Sequence, residues 1–343
     1  MPSNENMSKK LKSDQFTIGT HSGTFHCDEV LACFMIKQLP AYSDAKIIRS
    51  RDDKVLDECD MVIDVGGVFN HDAKRYDHHQ KTFQESLSSL RPEFGENFKI
   101  RLSSAGLIYT FYGEDVIQEL LKKNGNEELT PSDLKAVYKQ IYKSLIQEID
   151  GIDNGVPMFD GEPAYTISTH LSARIGNLNP SWEIVDYDLD DIFQKAMETA
   201  GKEFTQIVMS FATSWIKARS HVRKAIENAK NVHKSGEILE LQQFCPWKHH
   251  LADLEKEYNI VGVPKYVLFN EKPGSWRVIC VPNSPSSFVC RKFLMESWRG
   301  FRDEELSKLA GLPGLIFVHH TGFVGGADTR ESVLQMAIKS LEN

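Results

Sequence analysis

The fold is decided by residues 16–39, FTIGTHSGTFHCDEVLACFMIKQL. Phe16–Gly19 is a short apolar run that ends at a glycine, which predicts a buried strand. Residues 29–39 carry apolar side chains at helical spacing, and Pro40 ends that helix. The polar loop between them contains small residues that allow the backbone to turn tightly. A strand, a loop and a helix in this order predict the first unit of an alternating α/β fold.

Two further strands are predicted at Lys46–Arg49 and Met61–Val65, the second of which stops at Gly66-Gly67. Strands that alternate with helices predict a parallel sheet covered by helices, and ligands bind beyond the carboxyl ends of such strands. The fold class we expect is therefore α/β, with a parallel-sheet N-terminal domain and a smaller α+β C-terminal domain joined by a long helix. The predicted segments are a flexible tail at 1–14, the N-terminal domain at 15–190, a connecting helix at 191–235 that breaks near Gly201, and the C-terminal domain at 236–343.

Composition excludes several classes of protein. The 343 residues carry 40 Lys and Arg against 48 Asp and Glu, a net charge of −8, which disfavours non-specific binding to duplex nucleic acid but permits a local basic groove for a short single strand. The sequence contains no apolar run of about 18 residues, so we expect no membrane span. Six scattered cysteines without a Cys-x-x-Cys pair indicate a reducing compartment. The N-terminus shows no signal peptide and no clear transit peptide, so we expect a cytoplasmic or nuclear protein.

Histidines are concentrated near the N-terminus. Five of the twelve, His21, His26, His71, His78 and His79, lie between positions 21 and 79. They fall in loops after the predicted strands and have acidic neighbours. Histidines clustered with aspartates are typical of a metal site.

Each cluster also has a simpler interpretation. Asp28 would bind metal with His21 and His26, or would cap the helix that follows. Asp64 ends a buried strand, where a carboxylate is costly unless it is paired or bound to metal, although aspartate before glycines also forms turns. In Asp77-His78-His79, one histidine suits a ligand and the other a second-sphere or substrate contact, whereas His71-Asp72 also fits a surface turn.

A fourth cluster lies at residues 148–155, EIDGIDNG, where Asp150 or Asp153 would add one carboxylate ligand. Its alternative interpretation is the glycine-containing end of a helix. Near the C-terminus, residues 319–326, HHTGFVGG, predict a glycine-rich loop before a helix that starts near Thr329. The loop is either an anion site or a simple turn, with Asp328 as the N-cap of the helix. Weaker candidates are the phosphate contacts Arg174, Lys248, Arg291 and Arg299 and the stacking residues Phe288 and Trp298, for each of which a solvated or core role is favoured.

The order of these clusters resembles the four motifs of the DHH phosphoesterase superfamily, which includes RecJ-type exonucleases, small-oligonucleotide phosphatases and manganese pyrophosphatases. More closely, the chain resembles the melanocyte-proliferating-gene family of eukaryotic proteins. The matching stretches run from about Phe16 to the end of the chain and are Thr20–Glu29, Asp64–Phe69, Arg75–Gln80, Leu102–Leu107, Ile149–Val156, Trp298–Phe301 and Phe317–Gly326.

The resemblance implies a centre of two ions, Mn²⁺ or Mg²⁺. One would be held by His21, His26 and Asp64, and the other by Asp28, Asp64, His78 and either Asp150 or Asp153. Asp64, His78 and His79 would be the catalytic residues, and substrate would meet His79, Arg174, His320, Gly325 and Gly326. The chain departs from the superfamily pattern, which has aspartate in place of His26 and one residue fewer between the first two ligands.

The implied function is a 3′-5′ exoribonuclease that acts on single-stranded RNA or short oligonucleotides and releases 5′ mononucleotides by two-metal hydrolysis. In this interpretation 15–190 is the catalytic domain and 236–343 binds substrate. The family resemblance adds mitochondria as a further location. Two alternatives remain, a phosphohydrolase of small molecules such as pyrophosphate or a dinucleotide, and a non-catalytic metal-binding scaffold. Oligomeric state is not predicted.

Overall fold

The computed structural model describes residues 15–343, and the tail predicted at 1–14 lies outside the described residues. The chain folds into two compact units, one that ends at Thr213 and one that runs from Ser214 to Asn343. Within residues 15–343, none of the helices combines the length and the apolar character that crossing a membrane requires.

The first unit contains a five-stranded sheet in the order β2-β1-β3-β5-β4. β2, β1, β3 and β5 are parallel, and β4 pairs antiparallel with β5. The strands are β1 (Thr17–Thr20), β2 (Lys46–Arg49), β3 (Met61–Ile63), β4 (Phe69–Asn70) and β5 (Arg75–Tyr76). The parallel sheet expected from the sequence is therefore present, and the carboxyl ends of β1, β3 and β5 meet at one edge.

The helices of the first unit are α1 (Cys27–Gln38), α2 (Asp53–Asp57), α3 (Leu87–Leu90), α4 (Ser104–Lys123), α5 (Pro131–Ile141), α6 (Gln147–Asp153), α7 (Leu171–Gly176) and α8 (Leu189–Thr213). A π-helical segment at Tyr142–Ile146 connects α5 to α6. α1 is almost entirely buried because α4 and α8 pack against it. Gly201 of α8 lies against the ring of Phe34, and a Cβ added at this glycine would overlap the ring.

The second unit has a mixed sheet in the order β6-β7-β8-β10-β9, in which only β6 and β7 are parallel. Its strands are β6 (Ile238–Leu241), β7 (Tyr266–Lys272), β8 (Ser275–Cys280), β9 (Leu315–Val318) and β10 (Val324–Ala327), and its helices are α9 (Ala218–Glu227), α10 (Ala229–Val232), α11 (Trp247–Glu257), α12 (Asp303–Ala310) and α13 (Arg330–Glu342). Apolar clusters fill both faces, one with α9 and α11 and the other with α12 and α13. An α+β unit of this kind agrees with the expectation.

Four sequence expectations about secondary structure are wrong. The segment 191–235 is not one helix, because α8 ends at Thr213 and a 3₁₀ turn at Trp215–Lys217 precedes α9. The predicted break near Gly201 is also absent, since α8 runs through it. Residues 150–153 belong to α6, whereas the Gly, Asp and Pro content of residues 150–161 predicts a loop or a domain boundary. Gly325 and Gly326 lie inside β10, where both are buried and paired with β8 and β9, so they do not form a glycine-rich loop.

Candidate metal centre

Histidines and carboxylates meet where the parallel strands end. His21 follows β1, Asp64 follows β3, and residues 77–79 follow β5. The first turn of α1 adds Asp28 and Glu29 to the same place. The structure thus brings together three of the clusters found in the sequence, and the parallel register of the strands is the reason.

Asp64 occupies the centre of this group. Its φ of 60° places it in the left-handed region, which ends β3 and which aspartate tolerates better than most residues. Oδ2 lies 3.4 Å from Nε2 of His21, and Oδ1 lies 3.3 Å from Nε2 of His78 and accepts a hydrogen bond of 2.9 Å from Ser104 Oγ. Burial opposes ionisation, but the two histidines lower the pKa of Asp64 below its usual range. Asp64 is therefore an anion with a histidine on each oxygen.

A second group of possible ligands consists of Asp28, His78 and Asp153. Nε2 of His78 lies 3.1 Å from Asp153 Oδ2 and 4.0 Å from Asp28 Oδ2. Burial, together with the charges of Asp64 and Asp153, raises the pKa of Asp28 well above its usual value. Burial also raises the pKa of Asp153. Carboxylates this close repel one another, and a cation among them would relieve that repulsion.

Asp150 lies apart from this group. It is fully buried, and its Oδ1 accepts hydrogen bonds from the backbone N–H and the hydroxyl of Ser103 at 2.9 and 2.7 Å. Its Oδ2 accepts a bond of 3.0 Å from the hydroxyl of Tyr142. Burial raises the pKa of Asp150 to about 7. Of the two aspartates left open by the sequence, the geometry favours Asp153, and Asp150 instead anchors the start of α4.

A third group contains His21, His26, Glu29 and Asp64. Burial disfavours the charged imidazole, but Asp64 and Glu29 outweigh it and raise the pKa of His21 to about 10. Sequence reasoning missed Glu29, because its position three residues after His26 is that of a helix-capping residue, and it does accept the His26 N–H at 2.8 Å. His26 is exposed and lines a cavity of about 390 Å³ that also reaches Asp28, Asp64 and Asp153.

His79, unlike His21 and His78, has a side chain that is 63% exposed. Its Nδ1 lies 2.7 Å from Asp77 Oδ1 and 3.7 Å from Asp64 Oδ1. The bond to Asp77 raises the pKa of His79. Asp77 itself accepts hydrogen bonds from the N–H groups of Gly67 and His79. An exposed imidazole held by a buried carboxylate is suited to contact an anionic ligand in the cavity.

The donor set fits divalent cations. In the part of the chain that the structure describes, Asp28 Oδ1 and Glu29 Oε2 are buried and have no hydrogen-bond partner. Buried polar atoms are normally paired, so unpaired carboxylate oxygens in two residues of these groups indicate a site for a ligand. Carboxylate oxygen with imidazole nitrogen suits Mn²⁺ or Mg²⁺. Cys27 also lines the cavity, but burial raises the pKa of its thiol to about 12, which argues against a thiolate nucleophile.

Several weaker candidates have other roles in the structure. Trp298 is 2% exposed and belongs to the core of the second unit, so it has the core role that the sequence favoured over stacking. Arg291 makes a two-pronged ion pair with the buried Glu255. Arg174 pairs with Glu203 at 2.7 Å. Phe288 is 97% exposed and remains available for stacking.

His320 is exposed and packs against His319, with ring centroids 4.2 Å apart and the ring planes tilted by 40°. Arg299 is also engaged, because it donates two hydrogen bonds to the carbonyl of Leu294. An added Cβ on Gly326 would come within 2.6 Å of the Arg277 guanidinium, and one on Gly325 would come within 2.9 Å of Leu294. The two glycines therefore admit close packing against the sheet, a role that the sequence did not suggest.

Comparison with known proteins identifies the family of this chain. The family model MYG1_exonuc, described as "Uncharacterised protein family (UPF0160)", matches residues 17–341. The "MYG1 exonuclease" of Rattus norvegicus is 44% identical over 94% of this chain and 84% of its own length. The "MYG1 protein" of Dictyostelium discoideum is 46% identical over 95% of this chain and 96% of its own length.

Among solved structures, the crystal structure of RecJ in complex with Mg²⁺ from Thermus thermophilus matches at 13% identity, with a TM-score of 0.22 over 95% of this chain and 50% of that one. A TM-score this low does not establish a common fold. The family match and the sequence identities do not depend on it. They confirm the resemblance found in the sequence, and the chain belongs to the MYG1 exonuclease family.

Proposed function

We propose that this chain is a divalent-metal-dependent phosphodiesterase, and specifically a 3′-5′ exoribonuclease that releases 5′ mononucleotides. One observation carries the proposal: imidazoles and carboxylates from four separate segments converge, with unpaired buried donor atoms, on one cavity. Relatives that cover most of the chain are named exonucleases. A nuclease site needs groups that neutralise phosphate and groups that hold divalent ions, and this cavity offers both.

In the proposed site, His21, His26 and Asp64 would hold one ion, and Asp28, Asp64, His78 and Asp153 would hold the other. When bound, two divalent ions lower the pKa of water and offset the charge of a phosphodiester. Asp64 is fixed for this role by Ser104 and by its left-handed backbone.

His79 would contact the substrate. Asp77 accepts a hydrogen bond from Nδ1 and so fixes the ring. Because this contact also raises the pKa of His79, the ring is the group best suited to bind a non-bridging phosphate oxygen as a donor. His79→Ala would therefore impair turnover and substrate affinity while leaving the six metal-holding side chains in place.

The two units differ in charge, which supports a nucleic-acid substrate. Residues 214–343 contain 18 Lys and Arg against 14 Asp and Glu, a formal charge of +4, whereas residues 1–213 contain 22 against 34, a formal charge of −12. We assign strand binding to the second unit because phosphate attracts basic residues. Exposed Phe288 would add a stacking contact to a base.

A small-molecule phosphohydrolase is the second candidate. The cavity, of about 390 Å³, favours it because that volume suits a single nucleotide or a pyrophosphate group. Both candidates use the same metal centre and differ in whether a longer strand is bound.

The test uses a single-stranded RNA oligonucleotide labelled at its 5′ end and incubated with protein and Mn²⁺. We expect a ladder of progressively shorter labelled products, and none with EDTA or with Asp28→Ala. Asp115→Asn, which changes an exposed carboxylate on α4, is the control variant and should retain full activity. Activity with no divalent ion, or equal activity of Asp28→Ala, would refute the proposal. Hydrolysis of dinucleotides alone would favour the second candidate.

A further inference from the structure

Glu29 lies at the metal centre in a manner that helix capping does not explain. It is completely buried in the first turn of α1. One carboxylate oxygen, Oε1, accepts the His26 N–H at 2.8 Å and lies 3.0 Å from His21 Nε2. The other oxygen, Oε2, is buried and has no hydrogen-bond partner among residues 15–343. A cap alone would not require this second oxygen to be buried without a partner.

The position of Glu29 relative to the other donors is also that of a ligand. Donor atoms of His21, His26, Glu29 and Asp64 all lie within 4.8 Å of one another. In the proposed centre, Asp64 is shared between the two ion sites. Without Glu29, the site formed by His21 and His26 would therefore contain two neutral imidazoles and only a share of the negative charge of Asp64. A divalent cation that is removed from water is stabilised by anionic oxygen rather than by imidazole alone.

The charges of the centre balance only when Glu29 is counted. Asp28, Asp64 and Asp153 supply three negative charges when ionised, and two divalent cations carry four positive charges. Glu29 supplies the fourth negative charge from within the same group of donors. A buried site with matched charge avoids the desolvation cost of an unpaired ion.

We propose that Glu29 is the fourth carboxylate of the metal centre and the anionic donor of the site formed by His21 and His26. The inference rests on the proposed function in that it concerns the same two ions. It assigns Glu29 two tasks that are performed by different atoms. Oε1 fixes the backbone at His26, and so positions that ligand, while Oε2 faces the ion.

The test is metal binding, measured without any substrate. Metal-free protein is titrated with Mn²⁺, and the free ion is followed by its electron paramagnetic resonance signal. Glu29→Gln preserves an oxygen that accepts the His26 N–H and removes only the charge. We expect two ions in the unaltered protein and, in Glu29→Gln, a loss of affinity of at least about tenfold for one of them. Glu148→Gln, an exposed glutamate of α6, is the matched control and should bind both ions normally.

A compensating variant separates charge from structure. In the double variant Glu29→Gln/His26→Asp, a carboxylate returns to the same donor group, and we expect the affinity for the weakened ion to recover. Where Glu29→Gln alone does not fold, the single variant His26→Asp is compared with the double variant. These two proteins differ only at position 29, and we expect the double variant to bind the ion more weakly. The proposal is overturned if the protein binds both ions with unchanged affinity after the Glu29 charge is removed, even when the melting temperature falls. Glu29 would then serve only as a helix cap. Failure of the unaltered protein to bind any ion would instead overturn the proposed function.

Discussion

Asp150 and Asp153 lie three residues apart in α6, and the same substitution should have opposite effects at the two positions. Asp150 accepts three hydrogen bonds from Ser103 and Tyr142 in a fully buried site. Replacing it with alanine leaves buried donors without an acceptor, at a cost of about 1–3 kcal/mol for each group. We expect Asp150→Ala to lower the free energy of unfolding by about 2–4 kcal/mol, which corresponds to a fall of roughly 10 °C in melting temperature for a unit of this size.

Asp153 has a different environment. Its side chain is 19% exposed and lies 3.1 Å from His78, among the like charges of Asp28 and Asp64. Removing it takes away repulsion as well as attraction, so Asp153→Ala should change the stability of the metal-free protein by no more than about 0.5 kcal/mol. Affinity for one Mn²⁺ should fall at least about tenfold, because a donor has been lost.

The two quantities are measured separately. Thermal unfolding is followed by circular dichroism in EDTA, because bound metal would itself stabilise the folded state. Manganese affinity is measured by calorimetry at a temperature where both variants are folded. The reasoning is refuted if Asp150→Ala loses an ion at unchanged melting temperature, or if Asp153→Ala binds both ions as tightly as the unaltered protein.

Three further predictions follow from individual groups. Burial lowers the pKa of His250 to about 4, so the ring stays neutral in the folded protein at a pH where the unfolded chain, with a pKa near 6.5, takes up a proton. The free energy of unfolding should therefore be highest above pH 6.5 and fall by about 3 kcal/mol toward pH 4. Urea unfolding at several pH values should show this loss in the unaltered protein and not in His250→Gln, which still donates to the Trp215 carbonyl; equal pH dependence of the two would contradict it. Gly201→Ala should destabilise the first unit by about 1–3 kcal/mol, because the methyl group would overlap the ring of Phe34, and an unchanged melting temperature would show that α8 shifts freely. Since Asp64 and Glu29 raise the pKa of His21 to about 10, Mn²⁺ must displace a proton from His21 when it binds at pH 7. Calorimetry in buffers of different ionisation enthalpy should detect this proton release, and the affinity for Mn²⁺ should rise with pH. An affinity that does not depend on pH would contradict the prediction.

The sequence predicted the framework of the first unit well, for an identifiable physical reason. β2 spans Lys46–Arg49 and β3 begins at Met61, as expected, since short apolar runs bounded by polar residues favour burial as strands. The residues that follow β1, β3 and β5 meet because these strands are parallel, although the strand at β5 was not predicted.

The parts that could not be predicted depend on contacts distant in the sequence. Gly325 and Gly326 suggested a loop because glycine is common in turns, but Leu294, Arg277 and Phe317 occupy the space beside them and make the glycines necessary in a strand. The local sequence pattern does not show which residues, distant in the sequence, will pack against a given position.

Glu29 and Asp150 were obscured for a related reason. A carboxylate at the third position of a helix is explained by helix capping alone. The sequence therefore offered no reason to propose Glu29 as a metal ligand. Asp150 shares its motif with Asp153, and only the hydrogen bonds from Ser103 and Tyr142 show that its oxygens are already used. When a side chain has two plausible roles, its hydrogen-bond partners in the folded structure are needed to distinguish them.

The proposed donors come from positions 21, 26, 28, 29, 64, 78 and 153, and this spacing has a consequence for synthesis. A growing polypeptide cannot form the complete centre until α6 has left the ribosome, because Asp153 is its last contributor. At about 5–20 residues per second, many seconds pass between the emergence of His21 and that moment. Cation capture is therefore a late step of biogenesis, and a chain interrupted before α6 would leave the ribosome as an incomplete chelator.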